Sequence, residues 1–542
     1  MALWPSPLQL LYGALLLTRL LFSLSPSYIH PDEYLQTGEI AANDLLHTSA
    51  YRTWEFTTSQ PIRSILPLYL ISGPPTLLLR LLPPPLSSMK TSQALFIAQR
   101  LHMFALSLLV DLSVFRMVRR KTRWLAVVVL ASSHCVAVFH VHAFSNSLAS
   151  EILALALWVF SRARWSLLGA LLVLGTFAHV SFAMFALPLG VGALARGRGR
   201  AAARLALGAA PVLLAMVTAD SMYYGRLVCT VWNNLRYNSS TGNLAAHGIH
   251  PWYLHLAVSM PALYGPLYAV FGAKLLRMWR RRMFGGIAAW SVISGVGVLS
   301  LVPHQEPRFV MPAVSAMVVF TADCFLRVPR GGWMLWAGFN LALAAVYGGV
   351  HQAGVIPTVA YLAESSVLDS VQCSPAVGAL GLRDNAVVRC GQRMAGEPYE
   401  AVTHVLAYKT FILPRHLLLQ PEKPQQLLGG EFAGGRVVVR DLVGMEPSEV
   451  RQVLESAALV PCAGNSLFVQ KDKQRRVVER TMFVVPSSFV NFSELRTSES
   501  QHYYDFQLLY EYSPHVNFDH FIDVLRNPIQ RSTLQTFLVC RK

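Results

Sequence analysis

Between residues 7 and 350 the chain repeats one pattern: an apolar stretch, a short basic run, and another apolar stretch. About 20 apolar residues in a helix cross the hydrocarbon core of a bilayer. The basic runs are Arg116, Arg119, Arg120, Lys121 and Arg123; Arg196, Arg198, Arg200 and Arg204; Lys274, Arg277, Arg280, Arg281 and Arg282; and Arg327 with Arg330. No acidic residue interrupts any of them. Short loops rich in Lys and Arg stay on the cytosolic side of a membrane. With 53% apolar and only 14% charged residues, the 542-residue chain is neither an ordinary soluble enzyme nor a disordered protein. Its net charge of +17 also raises nucleic-acid binding. That function wants a continuous basic face with groove-reading residues, and none is visible, so no nucleic-acid partner is expected.

Alternation from these cytosolic loops predicts a polytopic α-helical membrane protein of about eleven transmembrane helices. The expected spans are 7–25, 93–115, 124–143, about 149–161, 166–181, 182–195, 205–219, 256–273, 284–302, 309–326 and 333–350. The N-terminus is then cytosolic. Residues 7–25 lack a basic n-region and a clear cleavage site, and read as an uncleaved anchor. Residues 61–85 are apolar enough to cross, but a crossing would put the Arg116 cluster on the wrong side. Pro61, Pro67, Pro74, Pro75 and Pro83 also break helices, so this segment reads as interfacial or re-entrant. Asp111, the main acid within a span, lies near Arg116 and reads as a spacer or a snorkelled pairing.

Beyond about residue 355 charges become frequent and short β-like runs appear, as at 436–440 and 482–486. The expected domains are a membrane catalytic domain, 1–355, with a first non-cytosolic loop at about 26–92, and a luminal soluble α/β domain, 356–542. Sequons at Asn238 and Asn491 both fall on the non-cytosolic side, which suits a glycoprotein of the secretory pathway. The soluble segment holds Cys373, Cys390, Cys462 and Cys540, whose pairing spacing alone does not reveal.

Unusual polar residues collect at the non-cytosolic ends of the spans. His30-Pro-Asp-Glu33 and Glu55 follow the first span, and His142 with Ser145-Asn146-Ser147 follows the third. Asp220, Tyr223, Tyr224, Asn233, Asn234, His247 and His250 follow the seventh, His304-Gln-Glu-Pro-Arg308 the ninth, and His351-Gln352 the eleventh. A cavity opening at that membrane face is the expected consequence. There, a carboxylate from Asp32 or Glu33 can take a proton from a sugar hydroxyl. His304 and Arg308 are cationic donors suited to a phosphate. Together they fit attack by a hydroxyl on a lipid-phosphate-linked sugar. The competing readings are a turn capped by Asp32 and a plain interfacial cap at 304–308. Metal ligation by His30 with Glu33, or by His247, His250 and His255, is a third reading. No H-E-x-x-H or C-x-x-C is present, and no metal is expected.

His30-Pro-Asp-Glu33 after a first anchor span resembles the signature of the glycosyltransferase family 22 mannosyltransferases. The resemblance continues at Thr53-Trp-Glu55, Pro61-Ile-Arg-Ser64, Phe144-Ser-Asn-Ser147 and Asp220-Ser-Met-Tyr-Tyr-Gly225. It extends through Asn233–Asn238, Asn243–Gly248 and His304–Phe309. These last three, with His351-Gln-Ala-Gly354, Tyr408–His416 and Asp441–Met445, look most like the branch that adds a fourth mannose to glycosylphosphatidylinositol (GPI) precursors. The chain departs from the family at His179-Val-Ser-Phe182, where Arg-Pro-Thr-Phe is usual. It departs again at His142, where an Arg is usual, and at Glu151, where the Glu is displaced.

The resemblance implies a GT-C fold in the endoplasmic reticulum membrane with a luminal active site. The donor substrate is dolichyl-phosphate mannose and no cofactor is needed. The acceptor is a GPI lipid precursor with three mannoses, extended in α1,2 linkage with inversion. Asp32 and Glu33 would be catalytic, His304 and Arg308 would bind the donor phosphate, and His30, Glu55, Asn146, Asp220, Tyr224 and Glu306 would line the substrate site. Two other functions stay open. One is a sibling mannosyltransferase adding the third GPI mannose or building the N-glycan precursor. The other is a non-catalytic transporter, against which stand the missing internal repeat and the acids gathered at the span ends.

Overall fold

The computed structural model describes residues 5–81, 89–283, 286–364, 373–374, 389–390, 399–420, 436–457, 460–461, 469–472, 475–489, 495, 504–518, 524 and 531–541. The chain divides into two compact units: Met1–Leu24, Arg52–Pro75 and Ala98–Ala345 form the first, and Ser25–Tyr51, Thr76–Ile97 and Val346–Lys542 the second. This division differs from the 1–355/356–542 boundary expected above.

The first unit is helical. Among the described residues, four helices are long and apolar enough to cross a membrane: Pro7–Leu24, Thr91–Met117, Phe182–Tyr224 and Arg330–Val350. A fifth results if Arg123–Ser132 and His134–Val141, bent by 69°, count as one span. The expectation of about eleven is corrected accordingly. Other expected spans are short or broken: Ser145–Ser161, Trp165–Ala178 and Ile287–Ser300 have 17, 14 and 14 residues. Segment 256–273 breaks at Gly265, which has a φ of 41°, and 309–326 is α-helical only over Ala313–Thr321. Segments 182–195 and 205–219 are joined in Phe182–Tyr224, where Arg198 leaves helical geometry inside the basic run (φ 48°, ψ −140°). Such breaks are tolerated where freed backbone groups find partners inside the protein. At the 69° bend, Asn340 Oδ1 takes the His134 N–H at 2.9 Å.

Within the described part of segment 61–85, only the effect of the prolines differs from expectation. Pro74 and Pro75 lie within the helix Ile65–Arg80 instead of ending it. Its 16 residues fall short of a full span.

Pro7–Leu24 shows how sequence chooses faces. Leu10, Leu17 and Leu21 are exposed while Arg19 is fully buried, an outer surface suited to lipid and an inner one suited to a partner. That partner is Asp111. Arg19 Nη1 and Nη2 donate to its two carboxylate oxygens at 2.5 and 3.1 Å, and Nη1 donates to Ser107 at 3.2 Å. Asp111 is thus paired across helices, not along its own helix toward Arg116. Small residues allow other close contacts: a Cβ on Gly169 or Gly208 would strike the backbone of Leu205 or Ser166. Breaking a buried ion pair from one side leaves an uncompensated charge and costs about 3–5 kcal/mol. Arg19→Met and Asp111→Leu should each lower the thermal retention of detergent-solubilised, monodisperse protein. The double variant should recover most of the loss. Single variants as stable as the parent would contradict this.

The second unit is built on a mixed sheet. Tyr399–Ala407 pairs in parallel with Arg436–Asp441 and with Arg475–Pro486, which pairs antiparallel with Leu534–Arg541. Asp505–Tyr512 adds antiparallel to Leu534–Arg541. The β-like runs at 436–440 and 482–486 are therefore strands. Their side chains alternate with the two-residue period of a strand. Val405, Ala407, Met482, Val484 and Leu538 enter one core, and Leu406, Phe483, Val485, Phe537 and Val539 the other. The helix Pro447–Glu455, opened by a capping box between Glu446 and Glu449, supplies Val450 and Leu454 to the second core. The first core is completed by Tyr28, Tyr34, Leu79, Leu95 and Phe96, so parts of the expected first loop fold as part of the sheet unit. Cys540 is disulfide-bonded, and Cys462 and the Asn491 sequon lie outside the described residues.

Candidate active site

In the second unit, His30, Asp32 and Glu33 sit where a helix begins. The Pro31 carbonyl accepts the Leu35 N–H at 3.1 Å, which starts the helical ladder and puts both acids in the first turn. Carboxylates are favoured at that end by the helix dipole. Asp32 therefore lies inside the helix start and does not precede it as a cap. The Asp32 N–H donates to His30 Nδ1 at 3.2 Å, and Gln36 Nε2 donates to Asp32 Oδ2 at 2.5 Å. Glu33 is fully buried, whereas the Asp32 side chain is 22% exposed and so open to a reacting group. Tyr34–Gly38, just beyond, is π-helical, a local widening that recurs at functional sites.

In the first unit, a second constellation forms around Glu306. His304 Nε2 donates to Glu306 Oε1 at 3.0 Å, and Arg308 Nη2 donates to Oε2 at 2.5 Å. The His304 Nδ1–H meets the Gly248 carbonyl at 3.1 Å. Both ring nitrogens thus face acceptors, which favours the imidazolium. The Glu306 hydrogen bond, with smaller help from the Gly248 carbonyl, raises the His304 pKa against partial burial. Gln305 braces the loop: its Oε1 accepts the His255 N–H at 3.1 Å and its Nε2 donates to the Ser300 carbonyl at 3.2 Å. The His250 N–H donates to the Pro303 carbonyl at 2.8 Å.

Glu55 holds Arg63, whose Nε and Nη2 both reach Oε1 at 2.8 Å. The Tyr224 hydroxyl donates to the Arg63 carbonyl at 2.8 Å. The His179 ring lies 5.6 Å from that of Phe309, the neighbour of Arg308. Asp220 is occupied within the fold. Its Oδ1 accepts from the Ser64 hydroxyl and the Ile65 N–H at 3.0 and 2.9 Å, and Oδ2 accepts from Thr230 at 2.8 Å, which anchors the start of Ile65–Arg80. Asn146 is 2% exposed, and its amide nitrogen has no hydrogen-bond partner among the described residues. Asn238 is exposed.

Sequence reasoning did not assign Arg63 a role, although its motif was visible at 61–64. It also passed over an aromatic run. The Trp54 ring lies 4.7 Å from Tyr237 and 5.7 Å from His247, and His247 lies 5.6 Å from His304. Tyr237 and His247 are hydrogen-bonded at 2.9 Å. His255, offered as a metal ligand with His247 and His250, is instead 3.2 Å from the Ser259 hydroxyl. Among the described residues no group of three or more His, Cys, Asp or Glu side chains is gathered as metal ligands are.

The raised His304 pKa has a direction that can be tested. The stabilising ion pair is fully present below the ordinary histidine value and is lost as pH rises through the raised folded value. Glu306→Gln removes the anionic acceptor, so the alkaline limb of the pH–rate profile should move to lower pH. A limb that stays in place would separate His304 from the reaction.

The sequence profile of the Alg9-like mannosyltransferase family matches residues 10–376. GPI mannosyltransferase 4 of Schizosaccharomyces pombe is 35% identical over 375 residues, covering 65% of this chain and 67% of its own. GPI mannosyltransferase 4 of Aspergillus oryzae is 31% identical, with 94% and 93% covered. The human GPI alpha-1,2-mannosyltransferase 4 is 30% identical, with 90% and 89% covered.

Proposed function

Because the chain belongs to the Alg9-like mannosyltransferase family, we propose that it adds the fourth mannose of a GPI-anchor precursor. The chain is a glycosyltransferase of the mannosyltransferase type in a polytopic membrane fold with a C-terminal sheet. In the proposed reaction, dolichyl-phosphate mannose is the donor and the third mannose of the precursor is the acceptor. The 2-hydroxyl of that mannose attacks the anomeric carbon from the face opposite the phosphate. The new C–O bond forms as the bond to the phosphate oxygen breaks, turning a β-linked donor into an α1,2-linked product. Asp32 takes the hydroxyl proton, with Glu33 beside it, and dolichyl phosphate leaves with the electron pair. His304 and Arg308 meet the charge that grows on the phosphate.

The observation that carries this reading is the pair of cations fixed on Glu306, because a preorganised imidazolium and guanidinium suit a departing phosphate. Relatives matched over about nine-tenths of the chain bear GPI mannosyltransferase names, which supports the GPI acceptor over the N-glycan one. His30, Glu55, Asn146, Asp220, Tyr224 and Glu306 are the proposed lining, with Asp220 acting through the 64–65 backbone. The proposed location is the endoplasmic reticulum membrane with the site luminal. The disulfide at Cys540 and the exposed Asn238 suit an oxidising, glycosylating compartment.

The test uses microsomes containing the full chain, dolichyl-phosphate mannose and a three-mannose GPI precursor. The expected product is a four-mannose lipid whose new residue is released by an α1,2-mannosidase. Folded enzyme that makes no such product but extends a two-mannose precursor would move the assignment to the third GPI mannose.

A further inference from the structure

Two stretches with a family likeness but no assigned role, 351–354 and 408–416, both grip the segment that carries Asp32. Upstream of Asp32, Tyr28 is fully buried. Its N–H donates to the His351 carbonyl at 3.1 Å, and His351 Nδ1–H donates back to the Tyr28 carbonyl at 2.8 Å. The Tyr28 hydroxyl reaches the Ile412 carbonyl at 3.3 Å, and its ring stands edge-on to Phe411 at 5.3 Å. Downstream, Glu39 and His416 are both fully buried. Glu39 Oε1 accepts from the His416 N–H and from Nδ1–H, each at 3.2 Å, and Oε2 accepts the Tyr51 N–H at 2.8 Å. A buried carboxylate with three donors is firmly placed, since losing any of them leaves charge unsatisfied. The π-helical stretch Tyr34–Gly38 lies between Asp32 and Glu39, and the Tyr34 ring lies 5.7 Å from that of His416.

Asp32 therefore sits between two anchors, and both are supplied by residues far along the chain. We propose that His351 and His416 are positioning residues for the Asp32 carboxylate, and that placing this base is what the C-terminal segment contributes to transfer. The inference rests on the assignment of Asp32 as the base. Misplacing a reacting group by about 1 Å costs up to about a hundredfold in rate, so the anchors bear on turnover more than on donor binding.

The experiment compares His416→Ala, His416→Asn, His351→Ala and Asp32→Asn in the full-length, detergent-extracted enzyme. Turnover is expressed per monodisperse molecule, and KM is measured for dolichyl-phosphate mannose. His416→Ala and His351→Ala should each lower kcat by about tenfold or more with KM within about twofold. His416→Asn keeps a donor near the Nδ1 position and should restore most of the rate. A purely structural role predicts reduced yield with unchanged kcat per folded molecule, and that result overturns the proposal. If His416→Ala does not accumulate, Glu39→Gln tests the same anchor at nearly constant volume, and unchanged kcat there is equally adverse. Asp32→Asn separates the two ideas. Full turnover in that variant removes the base assignment and this inference with it. Lost turnover there, with normal kcat in the anchor variants, removes the inference alone.

Discussion

Asp32→Asn should lower mannose transfer by about 10²- to 10⁴-fold, the usual contribution of a positioned general base. The substitution keeps volume and keeps an acceptor oxygen for Gln36 Nε2, now 2.5 Å from Oδ2. The side chain is partly exposed, so no deeply buried charge is disturbed. Yield and detergent behaviour should therefore match the parent, and the loss should fall on kcat. Radiolabelled mannose transfer under saturating donor reads it directly. Glu33→Gln is the companion. Glu33 is fully buried where Asp32 is not, so its loss should lower both yield and rate. Wild-type turnover in Asp32→Asn would end Asp32's candidacy while leaving the family assignment untouched.

The second large effect is expected at Arg308. Its guanidinium is held on Glu306 Oε2, and the side chain is only 11% exposed. Removing one well-placed donor from developing negative charge costs about 10²- to 10³-fold in rate, or about 2.7–4 kcal/mol of transition-state stabilisation. Arg308→Ala should lose that much in kcat. Arg308→Lys should recover part of it, because an ammonium supplies charge without the planar fork that meets two oxygens. Steady-state kinetics with varied donor concentration checks both. Full activity in Arg308→Ala would remove the residue from the reaction, and full activity in Arg308→Lys would reduce its role to a generic charge.

His304 and Arg308 were legible as donors because they stand in one polar motif, four residues apart, at the end of an apolar stretch. What the sequence did not reveal was how they are held. Glu306 links them, Gln305 ties the loop to His255 and Ser300, and the His250 N–H closes it onto 303. Glu55 was legible as a polar residue near the site, but its hold on Arg63 requires the turn between residues 57 and 65. Asp220 read as a substrate ligand, since an acid at a span end is unusual. In the fold its oxygens receive Ser64, Ile65 and Thr230, and its nearest task is to begin a helix.

The sequence by itself determined the alternation of apolar helices with basic turns at 118–122, 162–164 and 281–283, and the two-residue alternation of the sheet. Both are local periodicities, written in neighbouring residues by solvent and backbone geometry. Only the tertiary structure decided that Arg19 meets Asp111 across 92 residues, and that Glu39 meets His416 across 377. It also decided that residues 25–51 fold with the sheet and not with the helices around them in sequence. The reason is common to all three. A buried charge must find its partner wherever the fold supplies one, and an apolar strand face must be covered by whichever segment reaches it. Neither demand names the partner in the residues beside it.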